Sequence, residues 1–495
     1  MGKTIKALLS MMEGAKISGA DDKEILTIEH DSRKVKEGTL FAALVGATVD
    51  GHAFISQAVA QGAVAVLVEK KVAVPEGVTV IQVPDVKKAI REMVPYFYDY
   101  PTRKMRLIGI TGTNGKTTTS YITRAILRDA GFKVGLIGTI QIMLEDEVLP
   151  IHNTTPDVID LQATLALMAE RGMDYVVMEV SSHALAQERI VACEFDTAVF
   201  TNLTQDHLDY HKTLENYMLA KAKLFTMLSD TAASKKNKTA VVNSDDKAGA
   251  VMLKHAKCRQ LTYAIQAPAS IRAVDINVQA SGAAFTLLGD FGKMPLQLKI
   301  TGIFNVYNVM AAVGAALAEN IDWQQIRRTL ENFRSVPGRF ELVDEGQNFS
   351  VIVDYAHTPD GLENILHTAR QIAKKRIITV FGCGGDRDRT KRPIMGRIAA
   401  ALSDVVIATS DNPRSEDPEF ILGQVEEGVR EALGGKQHEK ITDRRTAIFR
   451  AIEIAEAEDI VVIAGKGHED YQILKDKTIH FDDKEVARAA IRGKK

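Results

Sequence analysis

The chain of 495 residues is too long for one hydrophobic core, and at roughly 150 residues per domain it is expected to hold about three. Its hydrophobic fraction of 45% and charged fraction of 25% are those of an ordinary soluble globular protein. With 62 Lys and Arg against 64 Asp and Glu the net charge is -2, so no whole-chain field draws in nucleic acid or anionic lipid, and a ligand must be caught locally.

Cys193, Cys258 and Cys383 are few, odd in number and without metal-type spacing, which argues against a disulfide framework and for a reducing cytosol. The opening MGKTIKALLSMMEG has too short an apolar stretch for a signal peptide, and Lys6 stands where a myristoylation motif needs Ser or Thr. No apolar run approaches the length of a membrane span, so a soluble, cytoplasmic protein is expected.

Along the chain, short β-branched runs alternate with helical patterns, the pattern of buried parallel strands joined by helices. In the first hundred residues TLFAALVG and AVAVLVE bracket the helix-like FISQAVAQG, and DYPTRK around Pro101 reads as a linker. A second region opens at RLIGITGTNGKTT and continues through YVVMEVSSH, TAVFTNL and TAVVNSDD. A third follows SVPGRF and carries VIVDYAHTP, IITVFGCGGDRD, DVVIATSDNPR and DIVVIAGKGHED. The expected fold is α/β in three domains. Residues 1–103 form a smaller α/β domain, 104–336 a central parallel-sheet domain of the P-loop ATPase kind, and 337–495 a Rossmann-like domain.

The strongest motif is GTNGKTT, comprising Gly112, Thr113, Asn114, Gly115, Lys116, Thr117 and Thr118. It follows the apolar RLIGI and precedes a helical pattern whose Ile122, Ala125, Ile126 and Ala130 share one face, the context a phosphate loop requires. Glycines admit backbone N–H groups to phosphate oxygens, Lys116 can reach the terminal phosphates, and Thr117 can ligate magnesium. The glycines stand at 109 and 112 where the general pattern wants one at 110, so only the N-G-K-T core is kept.

Other strand ends supply further candidates. Glu179 closes VVMEV at the carboxyl end of a strand and could hold magnesium, or it could merely cap the next helix. His207 and His211, four apart, make a zinc pair conceivable, but no third ligand is evident nearby. Lys221 and Lys223 in YMLAKAKLF read on their own as solvated helix lysines.

GTNGKTT, EVSSHALAQER, TNLTQDHLDYH, YMLAKAKLF, GIFNVYN, PGR, DYAH and the three late strand ends occur in an order that resembles the Mur ligases, ATP-dependent enzymes that add amino acids to the peptidoglycan precursor. The likeness runs nearly the whole length and is most specific to the branch that adds the third residue of the stem peptide. It implies that Lys116 contacts ATP phosphates, that Thr117 and Glu179 share one magnesium, and that His207 and Lys221 hold a second. Lys221 is carbamylated in that family, as N6-carboxylysine; a bare ammonium would repel the cation, whereas a carbamate offers it anionic oxygen. Asn305, Arg339 and Asp354 match positions that hold the adenosine and its phosphates, although Arg339, beside Pro337 and Gly338, could be only a hinge residue. Ser32 resembles a uridine-nucleotide contact. Asn153, Thr154, Thr155, Ser181, Gln187 and Arg189 match positions that grip the muramoyl peptide.

The stretch TSDNPRSEDP places Arg414 on a proline-stiffened turn after an apolar strand. FGCGGDRD, TSDNPR and AGKGHED each end a strand of the third region, and such ends face one crevice in an open parallel sheet. Arg387, Arg414 and Glu469 are therefore expected to converge, flanked by Asp411, Asn412, Pro413 and Gly465. Two guanidinium forks and a carboxylate suit a zwitterionic amino acid with an additional carboxylate, and in the resembled family DNPR accompanies meso-diaminopimelate. Arg414 can take its distal carboxylate bidentately, with Asn412 adding a hydrogen bond. Lysine lacks that carboxylate, and a site built on such a partner can reject it by roughly 10⁴ or more. The alternative is a surface ion pair of Arg414 with Glu416 or Asp417.

The resemblance thus implies an amide-forming ligase that joins meso-diaminopimelate to the D-glutamate of UDP-N-acetylmuramoyl-L-alanyl-D-glutamate through an acyl phosphate, with ATP and magnesium. The partners expected are these small molecules, with no nucleic acid and no membrane, and the chain is expected to be a monomer. The third domain is expected to close over the central one to keep water from the intermediate. Rival readings are a lysine-adding relative, a folylpolyglutamate synthase, and a nucleotide-driven switch. The second does not explain DNPR, and the switch lacks the Asp two positions after Asn237-Lys238 that guanine-specific switches use.

Overall fold

The computed structural model describes residues 2–46, 49–151, 153–230, 233–279 and 281–494. They form two compact units, one of residues up to Tyr263 with Gly314–Ile321, the other of Ala264–Val313 with Asp322 onward.

The first unit contains two large sheets and a two-stranded one that pairs Lys3–Thr4 with Glu24–Ile25. The N-terminal one has five strands in the order Lys16–Ser18, Thr79–Gln82, Ala63–Val68, Thr39–Ala42, Thr27–Glu29, all parallel except the antiparallel edge strand 16–18. Ala63–Val68 is buried almost throughout, as the continuous apolar run AVAVLV requires of a strand covered on both faces. Helix Val86–Phe97 covers one face; Asp85 caps it by accepting from the Lys88 N–H at 2.9 Å. The DYPTRK tract is not a free linker. Pro101–Lys104 forms a 3-10 turn with Pro101 and Thr102 buried, and the Thr102 hydroxyl accepts from the Glu194 N–H at 3.1 Å.

The larger sheet of this unit is parallel through Val134–Ile137, Tyr175–Glu179, Arg106–Thr111, Thr197–Phe200, Thr239–Asn243 and Arg259–Ala264, in that lateral order. The hairpin Ile142–Leu144 and Glu147–Leu149 adds two antiparallel strands at one edge. In register Glu179 lies opposite Ile110, and Phe200 opposite Thr111, so the loops that follow these strands emerge together. The sheet order changes direction around Arg106–Thr111, and parallel sheets bind ligands at such reversals.

In the second unit, Ile271–Gln279, Gly282–Gly289 and Gly292–Leu298 form an antiparallel meander. Its strands alternate buried and open positions, a period-two pattern that the expectation of parallel strands throughout did not include. A six-stranded sheet follows in the order Glu341–Leu342, Ser350–Asp354, Ile460–Ala464, Ile377–Phe381, Val405–Ala408, Gln437–Lys440, parallel except at its first strand. Helices 359–372, 391–402 and 418–432 contribute to the core on one face, and 444–454 and 483–494 to the core on the other. This is the Rossmann-like arrangement expected, and its strand ends carry FGCGGDRD, TSDNPR and AGKGHED.

Candidate active site

The phosphate loop of the first unit runs from Gly112 to Gly115 between strand 106–111 and helix Lys116–Asp129. Gly112 takes φ 153°, and a Cβ there would collide with the Thr201 hydroxyl oxygen, so only glycine lets the loop pass the next strand end. That strand end fastens the loop: the Asn114 N–H donates to Asn202 Oδ1 at 2.9 Å, and the Thr201 hydroxyl donates to the Asn114 carbonyl at 2.6 Å. Thr113 lies 3.2 Å from the Tyr217 hydroxyl. The Lys116 ammonium folds over the loop onto the carbonyls of Gly112 at 3.0 Å and Thr113 at 2.8 Å.

Thr117 and Glu179 come together as expected. The Thr117 hydroxyl donates to Glu179 Oε2 at 3.0 Å, and Glu179 is fully buried. Glu179 does not cap the next helix; Ser181 does, accepting from the Ala184 N–H at 3.2 Å. Thr139, which the sequence reading passed over, donates its N–H and hydroxyl to the two Glu179 oxygens, both at 2.9 Å. Three hard oxygen groups thus converge beside the loop, a donor set that suits magnesium.

Lys221 is not a solvated lysine. It is 1% exposed, donates to the Gly112 carbonyl at 2.7 Å, and lies 4.3 Å from the centre of the Tyr217 ring. Burial, followed by the Lys116 charge, holds its amine well below the usual lysine range. As an ammonium it does not fit a metal site; a carbamate on the same nitrogen would. His207, in left-handed backbone with φ 53°, also neighbours Tyr217, edge to face with 6.0 Å between ring centres. Its ring also meets His183 at 4.7 Å, while His211 turns to the Ser182 hydroxyl at 3.0 Å. Thr118 is buried on the first turn of the helix.

Beside Glu179, the Thr155 hydroxyl donates to the Glu179 carbonyl at 2.8 Å and accepts from the Ser181 N–H at 3.1 Å. Thr154 approaches Thr139 at 3.2 Å, and Asn153 is exposed. Arg189 donates to the Thr155 carbonyl at 3.1 Å and grips Gln187 Oε1 with two nitrogens at 2.9 and 2.6 Å. In the N-terminal sheet's turn, Ser32 is buried and 3.1 Å from Gln57 Oε1. Lys34, two residues on, pairs with Asp160 at 3.3 Å, and His30 faces Asp157 at 3.6 Å, so this turn and the 153–160 segment are neighbours.

In the second unit, Asn305 is buried in helix Ile303–Ala318 and donates to the Thr301 carbonyl at 2.7 Å. Asp354 accepts from the N–H groups of Phe340 at 2.7 Å and Ala356 at 2.8 Å. Burial raises its carboxyl, while the nearby Arg339 charge opposes the rise. Arg339 itself lies 5.1 Å from the centre of the Tyr355 ring.

The late strand ends of this unit converge. A Cβ on Gly384 would stand 2.9 Å from Arg414 Nη1 and 3.9 Å from Arg387 Cγ, so the Arg414 guanidinium and the stem of Arg387 both pass close to this glycine. Arg414, at φ 53°, donates to the Gly385 carbonyl at 3.0 Å, and Arg387 to the Asp386 carbonyl at 3.1 Å. Neither forms an ion pair among the described residues; Glu416 instead serves Arg392 at 2.9 Å and Arg389 at 3.2 Å. Asn412, 3% exposed, donates to Glu469 Oε2 at 2.9 Å and accepts from the Ile473 N–H at 2.9 Å. Asp411 accepts from Gln472 through its carbonyl at 2.7 Å, and its carboxylate lies where a Cβ on Gly465 would be, 2.6 Å away. Pro413 is buried between these groups.

Lys466 was not foreseen. It is fully buried, and its ammonium joins Asn412 Oδ1 at 3.1 Å to Glu469 Oε2 at 3.3 Å. Burial raises the Glu469 carboxyl and Lys466 opposes the rise. The set therefore offers two guanidinium groups free of carboxylate partners on one side and a carboxylate braced by lysine and amide on the other.

Family models match three stretches: "Mur ligase family, catalytic domain" over residues 24–98, "Mur ligase middle domain" over 110–316, and "Mur ligase, glutamate ligase domain" over 338–467. The chain belongs to the Mur ligase family. It is 48% identical over 490 residues to the UDP-N-acetylmuramoyl-L-alanyl-D-glutamate--2,6-diaminopimelate ligase of Bacillus cereus, covering 99% of each chain. It is likewise 48% identical over 491 residues to the enzyme of the same name from Geobacillus thermodenitrificans, covering 99% of this chain and 100% of that one. A solved structure of a ligase so named superposes with a TM-score of 0.69 at 35% identity, over 100% of this chain and 99% of the other.

Proposed function

We propose that the chain ligates meso-2,6-diaminopimelate to the D-glutamyl carboxylate of UDP-N-acetylmuramoyl-L-alanyl-D-glutamate, converting ATP to ADP and phosphate. The observation that carries this reading is that Arg414 and the stem of Arg387 pass close to Gly384, neither arginine ion-paired among the described residues, while Asn412 of the same DNPR turn bonds the Lys466-braced Glu469. A diamino diacid presents a carboxylate to the arginines and an ammonium to Glu469; lysine leaves the guanidinium groups unmatched.

In the reaction, a D-glutamyl carboxylate oxygen attacks the γ-phosphorus and the bond to the β,γ-bridging oxygen breaks, releasing ADP. The diaminopimelate amine then attacks the acyl carbonyl, loses a proton, and expels orthophosphate. Lys116 follows the charge that moves onto the leaving phosphate, and the loop N–H groups orient it. Thr117 and Glu179 would hold one magnesium, and His207 with Lys221 as its carbamate a second; bound there, magnesium would supply charge neutralisation during phosphoryl transfer. Burial disfavours the ammonium form of Lys221 and so favours the free amine that attacks carbon dioxide, which supports carbamylation at that nitrogen.

The remaining assignments follow the same reading. Asn305, Arg339 and Asp354, with the loop residues 112–118, take the nucleotide; Ser32 takes the uridine portion; Asn153, Thr154, Thr155, Ser181, Gln187 and Arg189 take the muramoyl dipeptide. Asp411, Asn412, Pro413 and Gly465 shape the amino-acid pocket. Residues 1–103, 104–336 and 337–495 divide these tasks as domains, and the chain acts as a cytoplasmic monomer.

The test is phosphate release from ATP with and without the uridine-linked dipeptide, comparing meso-diaminopimelate, lysine and ornithine. Release that requires the dipeptide and only meso-diaminopimelate is expected. Equal release with lysine, or release without either substrate, would overturn the reading.

A further inference from the structure

The first unit has a second concave site, on the edge of its parallel sheet opposite the phosphate loop. A cavity of about 830 Å³ is lined by Arg106, Tyr175, Thr239 and Arg259, each the first residue of its strand, together with Ser229, Asp230 and residues 235–238 beyond helix Leu214–Leu228. The phosphate loop and Glu179 lie at the other ends of the same strands. Strands of five or six residues span about 17–20 Å, so the two sites are separate.

The cavity is basic although the chain as a whole is not. Arg106, Lys235, Lys236, Lys238, Lys257 and Arg259 line it against the carboxylates of Asp230 and Glu319. Two of these cations are already neutralised: Arg106 pairs with Glu319 and with Asp196, and Lys235 with Asp196 at 2.5 Å. The other four form no ion pair among the described residues. Lys238 is only 8% exposed, and its ammonium donates to a backbone carbonyl, that of Asp230, at 3.1 Å. A cation withdrawn this far from water calls for a counter-charge, and a concave wall concentrates the field of the four.

We propose that this cavity binds a small metabolite through a chain of phosphates. Its volume lies in the range of metabolite pockets, well above the space one phosphate fills. Lysine and arginine are the side chains suited to phosphate oxygens. Tyr175 is its one aromatic lining residue among those described and is 6% exposed, packed edge-on against Phe132 at 5.0 Å, so it offers no face to a base. Recognition therefore rests on the phosphates.

Cys258 reports on the site. It lines the cavity and is part-exposed, whereas Cys193 and Cys383 are buried. The experiment is maleimide alkylation of the full chain, with the phosphate loop saturated by a non-hydrolysable ATP analogue and magnesium, in the presence of inorganic tripolyphosphate or GTP. Each rate is normalised to the same protein without added anion. At tenfold its Kd, tripolyphosphate is expected to slow Cys258 alkylation about tenfold. Protection by tripolyphosphate alone marks an inorganic chain as the ligand class; equal or stronger protection by GTP marks a nucleotide. The variant Lys236→Glu/Lys257→Glu/Arg259→Glu is expected to lose the protection while keeping substrate-dependent phosphate release. Should that variant not fold, Lys257→Glu alone is expected to weaken protection severalfold. Unchanged alkylation with both anions, equal slowing by sodium chloride at matched ionic strength, or full protection in the folded variant would overturn the proposal.

Discussion

The Lys221 ammonium donates to the Gly112 carbonyl oxygen at 2.7 Å, fixing the middle of helix Leu214–Leu228 to the first residue of the phosphate loop. A fully withdrawn amine with one carbonyl and one ring for company is a poor choice for stability and a good one for chemistry.

Lys221→Met is therefore expected to abolish substrate-dependent phosphate release while leaving the melting temperature unchanged or higher. The pH dependence has a defined sign. Burial depresses the folded-state pKa below 10.5, so the cost of the buried ammonium is full below that depressed value and fades as pH rises toward 10.5. In carbonate-free buffer, the stability gained by the Met variant is expected to be largest at low pH and to shrink on going alkaline. Calorimetry at pH 6 and 9 checks this; a gain that grows with pH would contradict it.

Arg414 sits in the left-handed region with φ 53°, so asparagine, which tolerates that conformation, replaces it more cleanly than alanine. Arg414→Asn is expected to raise the KM for diaminopimelate roughly a hundredfold or more, because the partner carboxylate is left unmatched. The KM for ATP should stay within about twofold of the parent, as expected for a residue outside the nucleotide site. Steady-state kinetics with each substrate varied decides between these outcomes.

Gly465 has φ 124°, and an added Cβ would meet the Asp411 carboxylate at 2.6 Å. Gly465→Ala is expected to destabilise the fold by about 1–3 kcal/mol through backbone strain. It should also raise the KM for diaminopimelate by displacing Asp411 and its neighbour Asn412. Denaturant unfolding and kinetics read the two effects separately.

Glu416 holds the fully buried Arg392 at 2.9 Å and accepts from the Asp386 N–H at 2.6 Å, tying two of the amino-acid loops together. The Arg392 hydrogen bonds draw the Glu416 carboxyl down to about 2. A depressed carboxyl stabilises the fold at pH above its ordinary value of 4.5 and loses that contribution as pH falls toward about 2. Glu416→Gln should lower the melting temperature at neutral pH and flatten its decline between pH 4.5 and 2. An unchanged acid limb would show that the pair contributes nothing.

Much of this was legible beforehand because strand ends in parallel sheets are marked by apolar runs that stop at glycine or charge. GTNGKTT and DNPR announce themselves in that way, and Arg387, Arg414 and Glu469 could be brought together from topology alone. Thr139 and Lys466 could not. A threonine in a loop has no pattern of its own, and a lysine after AG reads as solvated until the Asn412 and Glu469 atoms around it are known. Lys221 presented a different difficulty: its spacing from Tyr217, Leu224, Phe225 and Leu228 is that of the buried face, but lysine as a residue type reads as solvated until the close approach of Gly112 and Tyr217 is known. The meander of residues 271–298 was legible in principle, since IRAVDINVQ alternates in hydropathy along part of its length.

Val158 and Ile159, from the start of the helix that runs to Glu170, belong to the same apolar core as Ile5, Leu40, Met93 and Phe97. The first hundred residues thus complete their interior with a turn borrowed from farther along the chain. A chimaera that exchanges this region between relatives must carry residues 153–160 with it, or the graft inherits a hole at 158 and 159 and two stranded hydrophobes on the recipient.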